Sequence, residues 1–272
     1  MLIKFSLILA SLFLFLMPAI LIGTTFPIVV GVAKNFLTKP TVLLSSLYKI
    51  NTLGAVLGVA LGGFILIWLI GMQALAIAGA LINFGIAFIL WSKRKAALGA
   101  AAPAGQKKIV EQHPALVRAY AYLLIFITGF ISLTLEIIWT RVFALSFGSS
   151  VYAFSAVLLM FLFGIAAGSA FLERLSQKQN FSELRTAALT QALAGISVWL
   201  GALIIVYLPN LYLALIPGNL SFGVNMLLLM SFALIIVFPF TFLAGLSLPL
   251  LLRLRASTLR EQSIGKAYGV NT

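Results

Sequence analysis

The chain is 272 residues long, 62% of its residues are apolar, only 8% are charged, and its mean hydropathy is +1.17. This composition excludes a water-soluble globular domain and indicates a protein that lies in a lipid bilayer. Cysteine and aspartate are absent and His113 is the only histidine, so the sequence offers no thiolate, no metal-ligand cluster and no catalytic triad. We therefore predict no cofactor, no metal site and no catalytic residue within this chain.

Seven apolar runs follow one another along the chain, and each is close to or above the ~20 residues that a helix needs to cross the hydrocarbon core. The runs are continuous and do not alternate with polar residues, which favours helices over a transmembrane barrel. The sequence predicts an all-α, polytopic transmembrane bundle. Its spans, about seven in number, are predicted at residues 5–33, 52–70, 72–91, 119–144, 150–172, 187–208 and 224–252.

The net charge of +13 is concentrated in alternate connections between the predicted spans. Lys and Arg gather after the first, third, fifth and seventh spans, whereas the connections near Gly71, Gly148 and 209–222 carry none. This is the positive-inside pattern, and it predicts an inner cell membrane with the chain start outside and the chain end in the cytoplasm. The basic loops then face anionic lipid headgroups, and nucleic-acid binding is not expected.

Two segments near the start of the chain recur, in the same order, near its end. Residues 18–27 (PAILIGTTFP) are echoed by 239–249 (PFTFLAGLSLP), and residues 47–52 (LYKINT) are echoed by 267–272 (AYGVNT). Both copies run toward a basic connection, so they predict parallel repeats related by an axis along the membrane normal. Prolines inside both copies predict bent helices.

The offset between the two copies covers six spans, and it divides the chain into two unequal parts. Residues 1–91 are predicted to be the last three spans of one six-helix half, and residues 119–272 the first four spans of the second half, truncated at the C-terminus. Residues 92–118 are rich in Ala, Gly and basic side chains, which is typical of a flexible cytoplasmic linker. We therefore expect the chain to be a fragment of a larger bundle.

Glu136 and Arg141 are the only charged residues in the fourth and fifth predicted spans. A charge near the bilayer centre costs at least ~2.5–3.5 kcal/mol, so it needs a compensating interaction. Trp139 shares a helical face with Glu136, whereas Arg141 is turned ~140° away. Two interpretations are open. Either Glu136 hydrogen-bonds a neighbouring helix, for example near Pro239, while Arg141 reaches the outer interface, or Glu136 binds a cation or carries a proton.

Other polar and small residues predict contacts at the helix surfaces. Tyr48 and Asn51 precede a span at its basic end, where Asn51 can cap the helix and Tyr48 is a candidate solute contact. Asn83, Gln191 and Asn225 are expected to form hydrogen bonds between helices. Repeated glycines predict close helix packing, either static or as a gliding interface, at Gly54, Gly58, Gly62, Gly164 and Gly168.

Several blocks of the sequence resemble the membrane region of the spermidine-synthase-like membrane proteins. They lie at residues 23–27, 47–58, 129–141, 147–154 and 163–169. The resemblance implies a helical region similar to the major facilitator transporters, which in that family is often fused to a soluble spermidine-synthase-like domain. This chain departs from the family at Leu135, where an aromatic residue is expected, and in residues 168–175, where the usual facilitator Asp is absent.

The resemblance and the isolated charges leave two functions open. The first is a transporter-like membrane domain for a cationic or polar solute such as a polyamine. Its candidate site residues are Glu136, Trp139, Arg141, Tyr48 and Asn51. The second is a membrane anchor or regulatory scaffold for a fused or associated cytoplasmic aminopropyltransferase domain, which these residues do not encode.

Overall fold

The computed structural model describes residues 2–33, 40–99, 115–148, 151–176, 182–215 and 221–255. Within these residues the chain is almost entirely helical and has no β-strand, so the predicted all-α class is confirmed. The elements are α1 Leu2–Ala33, α2 Pro40–Leu61, a π-helix Gly62–Leu66, α3 Ile67–Gly99, α4 Ala115–Phe147, α5 Val151–Leu175, α6 Glu183–Leu215, α7 Phe222–Ile236 and α8 Phe238–Arg255.

Four helical stretches of the described residues are long and apolar enough to cross a membrane, or five if the bent pair α7–α8 counts as one span. One of the four, Lys49–Ser92, is interrupted at Gly71, whose backbone is non-helical (φ 76°, ψ 168°). A side-chain atom of Leu75 lies 3.9 Å from where a Cβ on Gly62 would be, whereas a straight helix would separate these residues by ~20 Å. The chain therefore turns back at Gly71. The count of seven spans stays a prediction.

Helices α7 and α8 form a bent unit rather than one straight span. They meet at Val237 with a bend of 47°. Pro239 has no N–H to donate to the carbonyl four residues earlier, and its ring displaces that carbonyl, which accounts for the bend. In contrast, α1 carries Pro18 and Pro27 and is one continuous helix, so the two predicted repeat copies differ here. Residues 256–272 lie outside the described residues, and the repeat stays a prediction.

Helix α5 lies between two neighbours and contacts them with opposite faces. Its main contacts are with α8 and α2, and α8 also packs on α4 and α6. Gly164 and Gly168 face α8, whereas Ser155 and Glu173, which are five turns apart, share the face toward α2. The core between these helices is apolar and rich in aromatic rings, and it includes Trp139, Phe143, Phe161, Leu208, Phe232 and Phe240.

Small residues let α5 and α8 approach until their backbones touch. A Cβ on Gly164 would overlap the Thr241 hydroxyl, and a Cβ on Gly168 would overlap the carbonyl oxygen of Phe242. Because glycine has no Cβ, neither overlap occurs, and the two helices come into close van der Waals contact. Such packing can hold helices together in a membrane, where the hydrophobic effect does not drive them together. This contact is the tightest helix pairing that the described glycines make.

Gly54, Gly58 and Gly62, which were predicted to pack closely, make no close backbone contact with another helix among the described residues. In the described part of the chain, nothing lies within 4 Å of a Cβ placed on Gly54 or Gly58, and the neighbour found at Gly62 is a side chain of α3. The close approach is made one residue later, where a Cβ on Gly63 would overlap Ser155 of α5. The wider π-helical turn that begins at Gly62 shifts the contacting face, because a π-helix places more residues in each turn than an α-helix.

The outer surface of the bundle is strongly apolar. Phe13, Phe84, Phe88 and Trp199 are each more than 60% exposed. Soluble proteins rarely leave contiguous apolar surface of this kind in water, whereas hydrocarbon covers it without cost. The surface therefore agrees with the membrane environment that the composition indicates.

Candidate functional site

In the part of α4 whose side chains the structure describes, the inward face carries the carboxylate of Glu136. Ile125, Gly129, Trp139 and Phe143 are buried, and Glu136 lies on the same stripe, seven residues after Gly129 and seven before Phe143. Residues seven apart differ by only ~20° around a helix. Glu136 therefore faces the bundle and not lipid, and it is half-buried there.

The carboxylate of Glu136 has no hydrogen bond or ion pair to any residue that the structure describes. Its backbone carbonyl accepts a hydrogen bond from the Thr140 hydroxyl at 2.7 Å, but the side chain is unengaged. The predicted hydrogen bond to a neighbouring helix near Pro239 is not formed. Arg141 is exposed, in keeping with its ~140° offset around the helix. The acid is thus left able to take a ligand as its partner.

Trp139 forms the wall beside Glu136, one helical turn further along. It is 2% exposed, and its ring meets Phe240 of α8 nearly edge to face, with centroids 5.6 Å apart and an interplanar angle of 67°. Such pairs prefer this geometry because the positive ring edge meets the negative ring face. The pair packs α4 against α8 one helical turn from Glu136, so apolar aromatic surface lies near the acid on the same face of α4.

Asn51 does not begin a helix, so the capping interpretation is wrong. Helix α2 starts at Pro40 and continues through Asn51, whose exposed side chain makes no hydrogen bond to the described residues. Hydropathy indicated only the apolar part of this helix, because its polar first turns lie outside the apolar run. The side chain of Tyr48 lies outside the described residues.

An ion pair joins the middle of α2 to the last turn of α5. Lys49 Nζ lies 2.6 Å from Glu173 Oε2, and the Ser46 hydroxyl donates to Glu173 Oε1 at 3.0 Å. The Lys49 and Glu173 side chains are 28% and 21% exposed. Both carboxylate oxygens are engaged, so the contact is directional as well as electrostatic. Sequence reasoning missed this site, although opposite charges at the same predicted end of two helices were a usable signal.

Reversing one charge of this pair should loosen the contact between α2 and α5. Ala166 lies on the α2-facing side of α5 and is 2% exposed, so a cysteine there reports separation of the helices. A partly exposed pair contributes about 1 kcal/mol, so Lys49→Glu should speed maleimide labelling of Ala166→Cys by about fivefold. The double reversal Lys49→Glu with Glu173→Lys should restore slow labelling. Equally fast labelling in the double variant would show that the pair does not hold the helices together.

Two of the three predicted interhelical polar contacts are confirmed. Gln191 donates to the Ser247 hydroxyl at 3.1 Å, linking α6 to α8, and the Tyr212 hydroxyl donates to Asn225 Oδ1 at 2.7 Å, linking α6 to α7. Asn83 is exposed and makes no such bond within the described chain. Among the described residues, no group of three or more His, Cys, Asp or Glu could hold a metal ion.

The apolar helices and their packing define a multi-pass helical membrane protein. Comparison of the chain with known protein families, with characterised proteins and with solved structures finds no match. The placement of the charged and aromatic side chains is therefore the feature that indicates a function.

Proposed function

We propose that this chain is the membrane domain of a transporter-like protein in which Glu136 binds a cationic solute or an exchanging proton. One observation carries the proposal: an ionisable group lies half-buried on the inward face of a membrane-length helix and has no partner among the described residues. A charge of that kind is usually retained within a span because a solute, ion or proton uses it. The resemblance noted in the sequence points to polyamines as one solute class.

The surroundings of Glu136 suit reversible binding of a cation. The apolar wall formed by Trp139 and Phe240 keeps the local dielectric low, so a cation that reaches the carboxylate is attracted more strongly than in water. Binding supplies the partner that the described residues do not. Release then requires that water reach the carboxylate again, which a change in helix arrangement can provide.

The two faces of α5 suggest where such a change takes place. The predicted facilitator-like arrangement assigns α2 to one half and α4 to α8 to the other, so the halves meet between α2 and α5. The pair Lys49–Glu173 and the contact between Gly63 and Ser155 lie at opposite ends of that interface. Breaking the ion pair opens the basic end, whereas the backbone contact between α5 and α8 keeps the second half intact.

Substitution of Glu136 by Gln tests this function directly. Uptake of radiolabelled spermidine by proteoliposomes should be largely lost while the protein still folds. Retention of full uptake would contradict the proposal.

We also propose that the protein lies in the inner cell membrane with the chain start outside, because Lys and Arg gather in alternate connections. The chain has no cysteine, so single cysteines introduced at the exposed positions Ser92 and Ser221 can be labelled selectively. An impermeant maleimide added to intact cells should react with the variant at Ser221 and not with the variant at Ser92. The reverse pattern would overturn the orientation.

A further inference from the structure

An aromatic cleft of about 530 Å³ opens at the end of the bundle opposite the Lys49–Glu173 pair. It forms where the π-helix and the start of α3 meet the first turns of α5 and α7. Its volume falls within the range of small-molecule pockets. The cleft is lined by Phe64, Trp68, Tyr152, Phe222 and Met226.

Three rings of the cleft contact one another in sequence. The centroids of Phe64 and Tyr152 lie 6.2 Å apart, and Tyr152 meets Phe222 edge to face at 5.3 Å. Trp68 and Phe222 are 74% and 63% exposed, so ring surface is available to a ligand. Such a surface can present several negative π faces to one small guest.

The positions of these rings are fixed by contacts outside the cleft. On one side, the π-helix brings Gly63 against Ser155, which places Phe64 beside Tyr152. On the other side, the hydrogen bond from Tyr212 to Asn225 ties the first turn of α7 to α6, next to Phe222. π-Helical turns occur frequently at functional sites, because they displace side chains from the regular helical positions. The cleft is therefore built before any ligand arrives.

The absence of charged residues around the cleft indicates which class of ligand it can bind. The sequence has no charged residue in 50–92, 142–172 or 186–252, the segments that form the cleft. An anion would find no cationic donor there. A cation would meet no repelling Lys or Arg and would be attracted by the faces of Trp, Tyr and Phe, an arrangement that recognises quaternary ammonium groups elsewhere.

We propose that this cleft binds the alkylated ammonium group of a soluble organic cation before it reaches Glu136. The inference deepens the proposed function, and it rests on that function for the assumption that the solute is a cation. The rings supply affinity for a weakly hydrated positive charge, and the carboxylate deeper in α4 supplies the counter-charge. Binding at the cleft and binding at Glu136 depend on different residues, so each can be tested by its own substitutions.

Choline and its uncharged isostere 3,3-dimethylbutan-1-ol provide a matched pair of probes. Binding is measured by calorimetry on the full chain in nanodiscs of phosphatidylglycerol, which contain no choline headgroup. Choline should bind at least about tenfold more tightly than the isostere, because only the cation interacts with the ring faces. Equal binding of the two probes would overturn the proposal.

Substitutions locate the binding and separate it from Glu136. Trp68→Leu and Tyr152→Leu should each weaken choline binding by about three- to tenfold, whereas Tyr152→Phe, which keeps the ring, should not. In the Glu136→Gln protein, choline should still bind more tightly than the isostere, because the rings remain, so failure at one site is distinguishable from failure at the other. Unchanged binding in both leucine variants would overturn the cleft assignment. So would choline binding that occurs only when phosphatidylcholine is present, because the cleft would then recognise a lipid.

Discussion

Glu136→Gln should abolish most cation uptake and leave the fold intact. Gln keeps the shape and much of the hydrogen-bonding capacity of Glu but cannot ionise, so the bound cation loses its counter-charge. An interaction of this strength contributes about 1.5–3 kcal/mol, which corresponds to about a ten- to hundredfold loss of affinity. Uptake of radiolabelled spermidine by proteoliposomes measures the loss. Any pH dependence that comes from this carboxylate should disappear with it.

Thermal unfolding in detergent separates the functional role of Glu136 from a structural one. An unpaired, half-buried carboxylate costs folding free energy, so Glu136→Gln should keep or raise Tm. Glu136→Asp keeps the charge on a shorter side chain and should retain part of the uptake. A fall in Tm together with wild-type uptake would contradict the proposed site, and it would favour a membrane anchor for a soluble enzyme domain.

The apolar runs of the sequence predicted the course of the helices better than their ends. Helix α2 begins at Pro40, twelve residues before the predicted span at 52–70, and α3 extends to Gly99 while α4 begins at Ala115. Both edges of the predicted linker at 92–118 are therefore helical. Hydropathy indicates the part of a helix that prefers hydrocarbon, whereas backbone hydrogen bonding continues into polar turns that water can also reach.

The candidate site was only partly predictable for a related reason. Glu136 was visible because one acid in an apolar run is a local signal. The pair Lys49–Glu173 joins residues that are 124 positions apart, and recognising it requires knowledge of which helices are neighbours. The cleft around Tyr152 likewise draws its rings from distant elements. Spacing along one helix could not place these side chains together, because only the packing of the helices does so.

The contact between α5 and α8 is the place where a single methyl group should have the largest effect on stability. A Cβ on Gly168 would overlap the carbonyl oxygen of Phe242 and come within 3.2 Å of the Gly245 Cα, and both are backbone atoms that cannot rotate away. The Ser169 hydroxyl donates to the Gly245 carbonyl at 3.1 Å, so a shift of α8 would also strain a buried hydrogen bond. The backbone of α8 would therefore have to move to make room for the added methyl group.

Gly168→Ala should lower the free energy of unfolding by about 1–3 kcal/mol, the usual cost of overpacking a tight contact. Gly54→Ala is the matched control, because Gly54 also lies in a helix and nothing described lies within 4 Å of its Cβ position. That control should be neutral or slightly stabilising, since Ala favours helix more than Gly does. Unfolding in detergent, followed by circular dichroism for both variants, measures the difference. Equal stability of the two variants would mean that α5 and α8 do not form the rigid pair around which the rest of the bundle moves.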